Sequence, residues 1–91
     1  MGTNRRQIGD ASRALVLAVQ SYMGLRDIRA NGLAEKSGVP LSTLRKILQH
    51  RSVMDFEQLQ KISLALGVEP STLVAKAERI LKDGELNLAE E

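Results

Sequence analysis

The sequence predicts an all-α fold, a compact domain of five short helices. Apolar residues recur at steps of three and four along five segments, and glycine or proline stands between most of those segments. The chain of 91 residues is long enough for one core, which Leu, Ile, Val and Ala must fill because only two side chains are aromatic. We expect a flexible arm over residues 1–9, the helical domain over 10–82 and an acidic tail over 83–91.

The first helix is predicted to begin at Asp10, whose carboxylate can cap free backbone N–H groups, and to end near Gly24. A short connection leads to the second helix, which begins at Arg29 or Asn31 and ends at Ser37. The inward stripe of the first helix is expected to comprise Ala11, Ala14, Leu15, Ala18, Val19 and Tyr22.

Residues 33–48 are predicted to form the second helix, a tight turn and the third helix. Ala34 is small where two helix axes approach closely, and Gly38 can adopt the positive φ that ends the second helix. The third helix is expected over residues 40–49, with proline at its first position. Three apolar anchors fix it against the domain: Val39, Leu44 and Ile47.

The third helix presents a separate outward arc, about 140° wide at 100° per residue. The members of the arc are Leu41, Ser42, Arg45, Lys46 and Gln49. We interpret it as a surface that enters a DNA groove, because arginine can match two acceptors on a guanine edge with its planar fork. The alternative is a solvated helix face that carries one exposed leucine.

The fourth helix is predicted to follow Asp55, with Gln58 in the capping-box position, and to end at Gly67. Its inward residues are expected to be Phe56, Leu59, Ile62, Ser63 and Leu66. The fifth helix is expected from Pro70 to Gly84. Apolar residues on these two helices form a candidate two-fold dimer contact, unless the fifth helix only covers the core. They are Leu64, Leu73, Val74, Ala77, Ile80 and Leu81.

Charge is distributed unevenly along the chain. Residues 1–51 hold nine basic and three acidic side chains, whereas residues 52–91 hold four basic and eight acidic ones, for a net charge of only +2. A basic half that carries the paired helices favours a polyanionic partner. Arg5 and Arg6 in the arm suit phosphates or a minor groove, although the arm is equally compatible with a disordered terminus.

The composition argues against several other functions. The chain has no cysteine and one histidine, His50, without a nearby carboxylate cluster, so neither a disulfide, a metal site nor a cofactor is expected. Ser42 and Thr43 lack a histidine or lysine partner and no glycine-rich phosphate loop occurs, so we expect no enzymatic activity. No apolar run approaches the roughly 20 residues of a membrane span and no signal peptide is present, which predicts a cytoplasmic protein.

Two signatures stand in register. The first is Leu33-Ala34-x3-Gly38-Val39-x4-Leu44-x2-Ile47, and the second is Leu59-x2-Ile62-x2-Ala65-Leu66-Gly67-Val68. A lone Ala-x3-Gly is common by chance, but both segments at this separation are not. On these residues, the run from Gly32 to Val68 resembles the XRE-like helix-turn-helix family of phage lambda-type repressors and Cro proteins, which includes bacterial regulators and antitoxins.

The resemblance implies that the third helix lies in the major groove of a double-stranded DNA operator. It places the base contacts on Leu41, Ser42, Arg45 and Lys46. It places phosphate contacts on Arg29, Gln49, His50 and Arg51. Two positions depart from the family pattern: Ala30 replaces a common glutamine, and His50 replaces the loop glycine. The loop therefore either turns differently or holds His50 in a left-handed conformation.

The implied function is a sequence-specific transcriptional regulator of phage or bacterial origin, a repressor that binds DNA as a homodimer. It would be associated with the nucleoid of a bacterial cell or a phage-infected host. One alternative is the antitoxin of a toxin–antitoxin pair, whose main partner is a protein bound by the acidic tail and the fifth helix. A third is a nonspecific or architectural role.

Overall fold

The computed structural model describes residues 9–84, which form five α-helices and no strand. The helices are α1 (Asp10–Arg26), α2 (Ala30–Ser37), α3 (Leu41–Leu48), α4 (Phe56–Leu66) and α5 (Pro70–Asp83). The predicted all-α fold with five helices is confirmed. Residues 1–8 and 85–91 lie outside the described residues, and with them the arginines predicted to contact phosphate in the arm, Arg5 and Arg6.

Helix α1 begins and ends differently from the prediction. Gly9 is the N-cap, and Asp10 is the first helical residue, where its carboxylate lies at the positive end of the helix dipole. The helix continues through Gly24 to Arg26. It ends there because Asp27 takes the left-handed conformation (φ 56°) and donates its N–H to the Gly24 carbonyl at 3.2 Å. Aspartate is one of the few residues besides glycine that visits this conformation routinely.

Helices α2 and α3 both begin without a side-chain cap. Arg29 is the N-cap of α2, so Asn31 lies inside the helix rather than capping it. Pro40, with ψ 141°, is the N-cap of α3 and not its first helical residue, so α3 begins at Leu41, one residue later than predicted. Neither cap residue makes a side-chain hydrogen bond to the helix it precedes.

The start of α4 confirms the predicted capping box but not the predicted role of Phe56. The Asp55 carboxylate accepts from the Gln58 N–H at 2.8 Å, and the Gln58 side chain accepts from the Asp55 N–H at 2.9 Å. Phe56 is 66% exposed. Met54 is buried in its place, because it precedes the cap and pairs in position with Leu59 as a hydrophobic staple.

Helix α1 is the centre of the domain, since it packs against α3, α4 and α5 and forms its largest interface with α5. A helix covered on several sides has no single inward stripe. Val16 is therefore buried although it falls off the predicted stripe, whereas Ala11 is exposed and Leu15 and Tyr22 are only half-buried. The fully buried side chains with the largest volumes are Leu33, Leu44, Ile47, Ile62, Leu66, Leu73, Val19 and Ser63.

Part of the predicted dimer contact is buried inside the domain, on α5. Leu73, Ala77 and Ile80 are buried in the core of the single chain, so their side chains are not available to a second copy. The other three candidates remain on the surface: Leu64, Val74 and Leu81. The helix extends through Asp83, one residue into the predicted tail, before Gly84 ends it. Within residues 9–84, no helix is long and apolar enough to cross a membrane.

Arg26 links the ends of α1 and α4. Its Nε donates to the Leu66 carbonyl at 2.8 Å, and its guanidinium carbon lies 5.9 Å from the centroid of the Tyr22 ring.

Replacing Arg26 with alanine is expected to lower the free energy of unfolding by about 1–2 kcal/mol, because a carbonyl at the end of α4 loses a charged donor. Urea denaturation monitored by circular dichroism measures this change. Arg45→Ala, which removes an exposed arginine from another helix, is the control. Equal stability of the two variants would contradict the role of Arg26.

Candidate nucleic-acid interface

The turn between α2 and α3 is held by backbone hydrogen bonds. Gly38 has φ 81° and donates its N–H to the Ala34 carbonyl at 2.9 Å, which ends α2. A Cβ at Gly38 would meet no atom within 4 Å, so the turn needs glycine for its φ and not for space. The Ser37 hydroxyl then accepts from the Val39 N–H at 3.2 Å, a contact that no sequence pattern predicts.

The inner face of α3 fixes its position. Leu44 and Ile47 are fully buried, and Val39 in the turn is buried beside them. Ala34 is half-buried on α2, which packs against both α3 and α4. At the other end of α3, the Gln20 side chain of α1 donates to the Leu48 carbonyl at 3.4 Å. Because its inner face is packed in this way, α3 presents the opposite face to solvent.

That outward face carries positive charge. Arg45 and Lys46 are both exposed, and α3 contains no acidic residue. Ser42 and Gln49 are exposed beside them, so the predicted arc exists on the surface. Leu41 is half-buried, which places it at the edge of the arc and leaves only part of its side chain accessible. The face therefore offers hydrogen-bond donors at its centre and an apolar edge.

The loop after α3 decides between the two alternatives for His50. The residue adopts the left-handed conformation, with φ 61°. Its N–H donates to the Ile47 carbonyl at 3.1 Å, and the Arg51 N–H donates to the Lys46 carbonyl at 2.8 Å. This pair of bonds is a Schellman motif with histidine at the position where glycine is usual. The loop turns as a glycine would turn it, and Arg51 Nε donates to Gln49 Oε1 at 3.0 Å on its outer side.

The strain at position 50 can be measured by comparing two variants that both lack the imidazole. His50→Gly is expected to be more stable than His50→Ala by about 1 kcal/mol, because a Cβ is disfavoured at positive φ. The matched control is the same pair of variants at Gln49, whose φ is −93°, where glycine gains nothing. Chemical denaturation gives the four free energies. An alanine at position 50 as stable as the glycine would show that the loop carries no strain.

The remaining predicted phosphate contact is Arg29, which lies exposed at the amino end of α2. Ala30, the next residue, is half-buried. The predicted phosphate contacts within residues 9–84 therefore lie at two places, the start of α2 and the loop that follows α3. Within residues 9–84, no group of three or more His, Cys, Asp or Glu side chains is placed to hold a metal ion.

One residue near this surface was not anticipated from the sequence. Arg13, on α1, has a buried Nε, and His50 has a buried Nδ1. Burial lowers the pKa of His50, and the charge of Arg13 lowers it further. No pattern marks Arg13, which occupies an ordinary helical position and becomes relevant only when α1 and α3 pack together.

Comparison with known proteins agrees with this geometry. The sequence model of the Cro/C1-type helix-turn-helix DNA-binding domain matches residues 18–75, which include α2, α3 and α4 entirely. The chain belongs to this family, and the resemblance found in the sequence is confirmed.

A crystal structure of the clp gene regulator ClgR from Corynebacterium glutamicum is similar to the chain. The superposition has a TM-score of 0.74 and 24% sequence identity, and it covers 88% of this chain and 87% of that one. At this identity the similarity shows a shared fold. No curated protein matches the chain.

Proposed function

We propose that the chain is a sequence-specific, double-stranded DNA-binding transcriptional regulator of phage or bacterial origin that acts as a repressor. The observation that carries the proposal is the outward face of α3, where Arg45 and Lys46 are exposed on a helix without acidic residues. Buried Leu44 and Ile47 hold that helix rigidly. An α-helix with its side chains is about 10–12 Å across, which suits a major groove about 12 Å wide.

Base recognition is assigned to the arc on α3. Arg45 is the residue suited to a bidentate contact with guanine O6 and N7, and Lys46 supplies a second donor. Ser42 can donate or accept and therefore reads several bases. The accessible part of Leu41 suits a thymine methyl group at the edge of the footprint. Each good base contact contributes about 1–3 kcal/mol of discrimination.

Phosphate contacts supply affinity and orientation at the two ends of the helix pair. Arg29 stands at the start of α2, while Gln49, His50 and Arg51 follow α3. Arg5 and Arg6 are proposed to add contacts from the arm, where arginine is favoured in a narrow minor groove. Because these contacts release counterions, affinity is expected to fall steeply with salt.

A homodimer on DNA is the proposed assembly. Leu64 is 75% exposed on α4, and Val74 and Leu81 are exposed two turns apart on one side of α5. Exposed apolar side chains of this kind suit a two-fold contact that presents two copies of α3. Sedimentation equilibrium with and without DNA tests this assembly. Leu81→Glu is expected to favour the monomer, and a wild-type protein that stays monomeric on DNA would contradict the dimer.

Selection of bound fragments from random duplex DNA tests the function. We expect a motif with two-fold symmetry and half-sites separated by about one helical turn, 34–36 Å. Repression is tested by transcription in vitro from a promoter that contains the motif, where added protein is expected to reduce the transcript. Equal affinity for unrelated duplexes would instead support a nonspecific role. A stable protein complex from the native host, without any selected motif, would favour the antitoxin alternative.

A further inference from the structure

A shallow groove of about 260 Å³ lies between α1 and α5, and the proposed function assigns no role to the residues around it. Its lining consists of Tyr22 from α1 and of Thr72, Ala75, Lys76 and Arg79 from α5. Within residues 9–84, no acidic side chain lines it. The groove therefore offers two cations and two hydroxyl groups, a set that suits an anionic occupant.

Other charged groups near the groove leave its positive charge in place. The guanidinium carbon of Arg26 lies 5.9 Å from the centroid of the Tyr22 ring and adds a third cation on this side of the domain. At 100° per residue, Asp83 shares an edge of α5 with Lys76 and Arg79, one turn beyond Arg79, but it does not line the groove. One carboxylate thus stands against three cations.

The size of the groove decides what kind of anion it can hold. Small-molecule pockets are usually enclosed and have volumes of about 300–1,000 Å³, whereas this groove is smaller and open to solvent. Exposed ion pairs are individually weak, so a separate small anion or peptide would dissociate readily. A segment of the same chain binds intramolecularly, at an effective concentration on the order of millimolar. The groove is therefore suited to an occupant that is covalently attached to the domain.

The chain has such a segment directly after α5. Residues 85–91, the acidic segment, lie outside the described residues and contain three glutamates and no basic residue. The carboxyl end of α5, where Gly84 ends the helix, is the negative end of its dipole and repels nearby carboxylates. The acidic segment is thus repelled by the end of α5 and attracted by the cations of the groove.

The acidic segment is long enough to reach both cations. Lys76 lies eight residues before Gly84, which is about 12 Å along the helix at 1.5 Å per residue. An extended chain covers about 3.3–3.6 Å per residue, so Glu90 and Glu91 can lie about 20 Å or more from Gly84. These two glutamates can therefore fold back to Lys76 and to Arg79, which is nearer.

We propose that the acidic segment of this chain folds back along α5 and binds in the groove, where its carboxylates accept from the Lys76 ammonium and the Arg79 guanidinium. The contact is intramolecular and does not depend on the proposed DNA-binding function. It neutralises positive charge on α5, so this side of the domain attracts polyanions less strongly.

Paramagnetic relaxation in nuclear magnetic resonance tests the contact. The chain has no cysteine, so Ala89→Cys carries a single nitroxide label. Two probe methyl groups, of Thr72 and Ala75, line the groove, whereas Leu81 lies on the other edge of α5 and closer to the label along the chain. An unbound segment would broaden Leu81 more than the groove methyl groups. A bound segment is expected to reverse that order.

Charge variants show whether the cations hold the segment. Lys76→Gln with Arg79→Gln is expected to abolish the reversal, while circular dichroism confirms that the variant is folded. Lys36→Gln with Lys61→Gln removes the same charge from exposed positions on α2 and α4 and is the matched control, expected to keep the reversal. Raising the salt from about 0.1 M to about 1 M, which shortens the Debye length from about 10 Å to about 3 Å, is also expected to abolish it.

A second readout needs no label. Tyr22 is the only tyrosine, so its ring gives one unambiguous set of resonances inside the groove. They are expected to shift when the three glutamates of the full chain become glutamine, in Glu85→Gln, Glu90→Gln, Glu91→Gln. In the Lys76→Gln, Arg79→Gln background the same three changes are expected to have no effect on Tyr22.

Three results would each overturn the proposal. The first is greater broadening of Leu81 than of Thr72 and Ala75 in the labelled wild-type background. The second is a Tyr22 spectrum that the three glutamine changes leave unaltered, which would leave the groove to some other anion, such as nucleic acid. The third is equal broadening of the groove methyl groups when isotope-labelled protein without nitroxide is mixed with nitroxide-labelled protein, which would assign the contact to a second copy. None of these results bears on DNA binding, which the selection experiment tests separately.

Discussion

Replacing Leu44 with alanine is expected to lower the free energy of unfolding by about 2–5 kcal/mol. Leu44 is fully buried in the inner face of α3, so the change removes apolar contacts and leaves a cavity. A domain of this size loses about 4–8 °C of Tm for each kcal/mol. The melting temperature is therefore expected to fall by about 8–40 °C, and the free-energy loss is a large share of the stability of a small domain.

Leu64→Ala is the matched control for that experiment. It makes the same chemical change at a side chain that is 75% exposed, so the monomer should change by no more than about 0.5 kcal/mol. Thermal denaturation at several protein concentrations separates this effect from any loss of dimer stability. Similar losses for the two leucines would show that the inner face of α3 is not packed as the structure describes.

The double variant Arg45→Ala, Lys46→Ala is expected to bind the selected DNA motif about 100-fold less tightly or worse. Both side chains are exposed on the outward face of α3, so their removal is not expected to unfold the domain. Two lost base contacts account for a change of this size. Anisotropy on the selected motif and on a mixed-sequence duplex, at about 50 and 200 mM salt, measures it.

Comparison of the two duplexes decides which kind of contact is lost. Base contacts predict a greater loss on the selected motif than on mixed DNA, whereas phosphate contacts predict equal losses. Arg79→Ala with Lys82→Ala changes the net charge equally on α5 and is the control. If the control variant loses as much affinity as the α3 variant, recognition through this helix is wrong.

The turn and the fourth helix were predictable because their signals are local. Gly38 is followed at once by the turn that its φ permits, and the reciprocal bonds of Asp55 and Gln58 depend only on their spacing. The apolar repeats of Leu44 and Ile47 likewise identify the buried side of a helix that packs mainly on one face. In each case, a short stretch of chain contains all the atoms that determine the outcome.

The features that were not predicted depend on how segments far apart in the sequence pack together. Phe56 lies on the apolar side of its own helix, but Met54 fills the core before that helix begins. Val16 is buried because α1 is covered on several sides. The place of Arg13 beside His50 depends on the packing of α1 against α3, which no periodicity reports.

The central position of α1 has a consequence for local unfolding. The largest helix interface joins α1 to α5, the first and last of the described helices, whereas α3 packs mainly against α2 and more weakly against α1. Opening of the α2–α3 pair therefore disrupts less of the core than separation of the terminal helices. Amide protons of α3 would exchange through partial openings that leave the α1–α5 pair intact. Hydrogen exchange is therefore expected to be faster in α3 than in the parts of α1 and α5 that pack against each other.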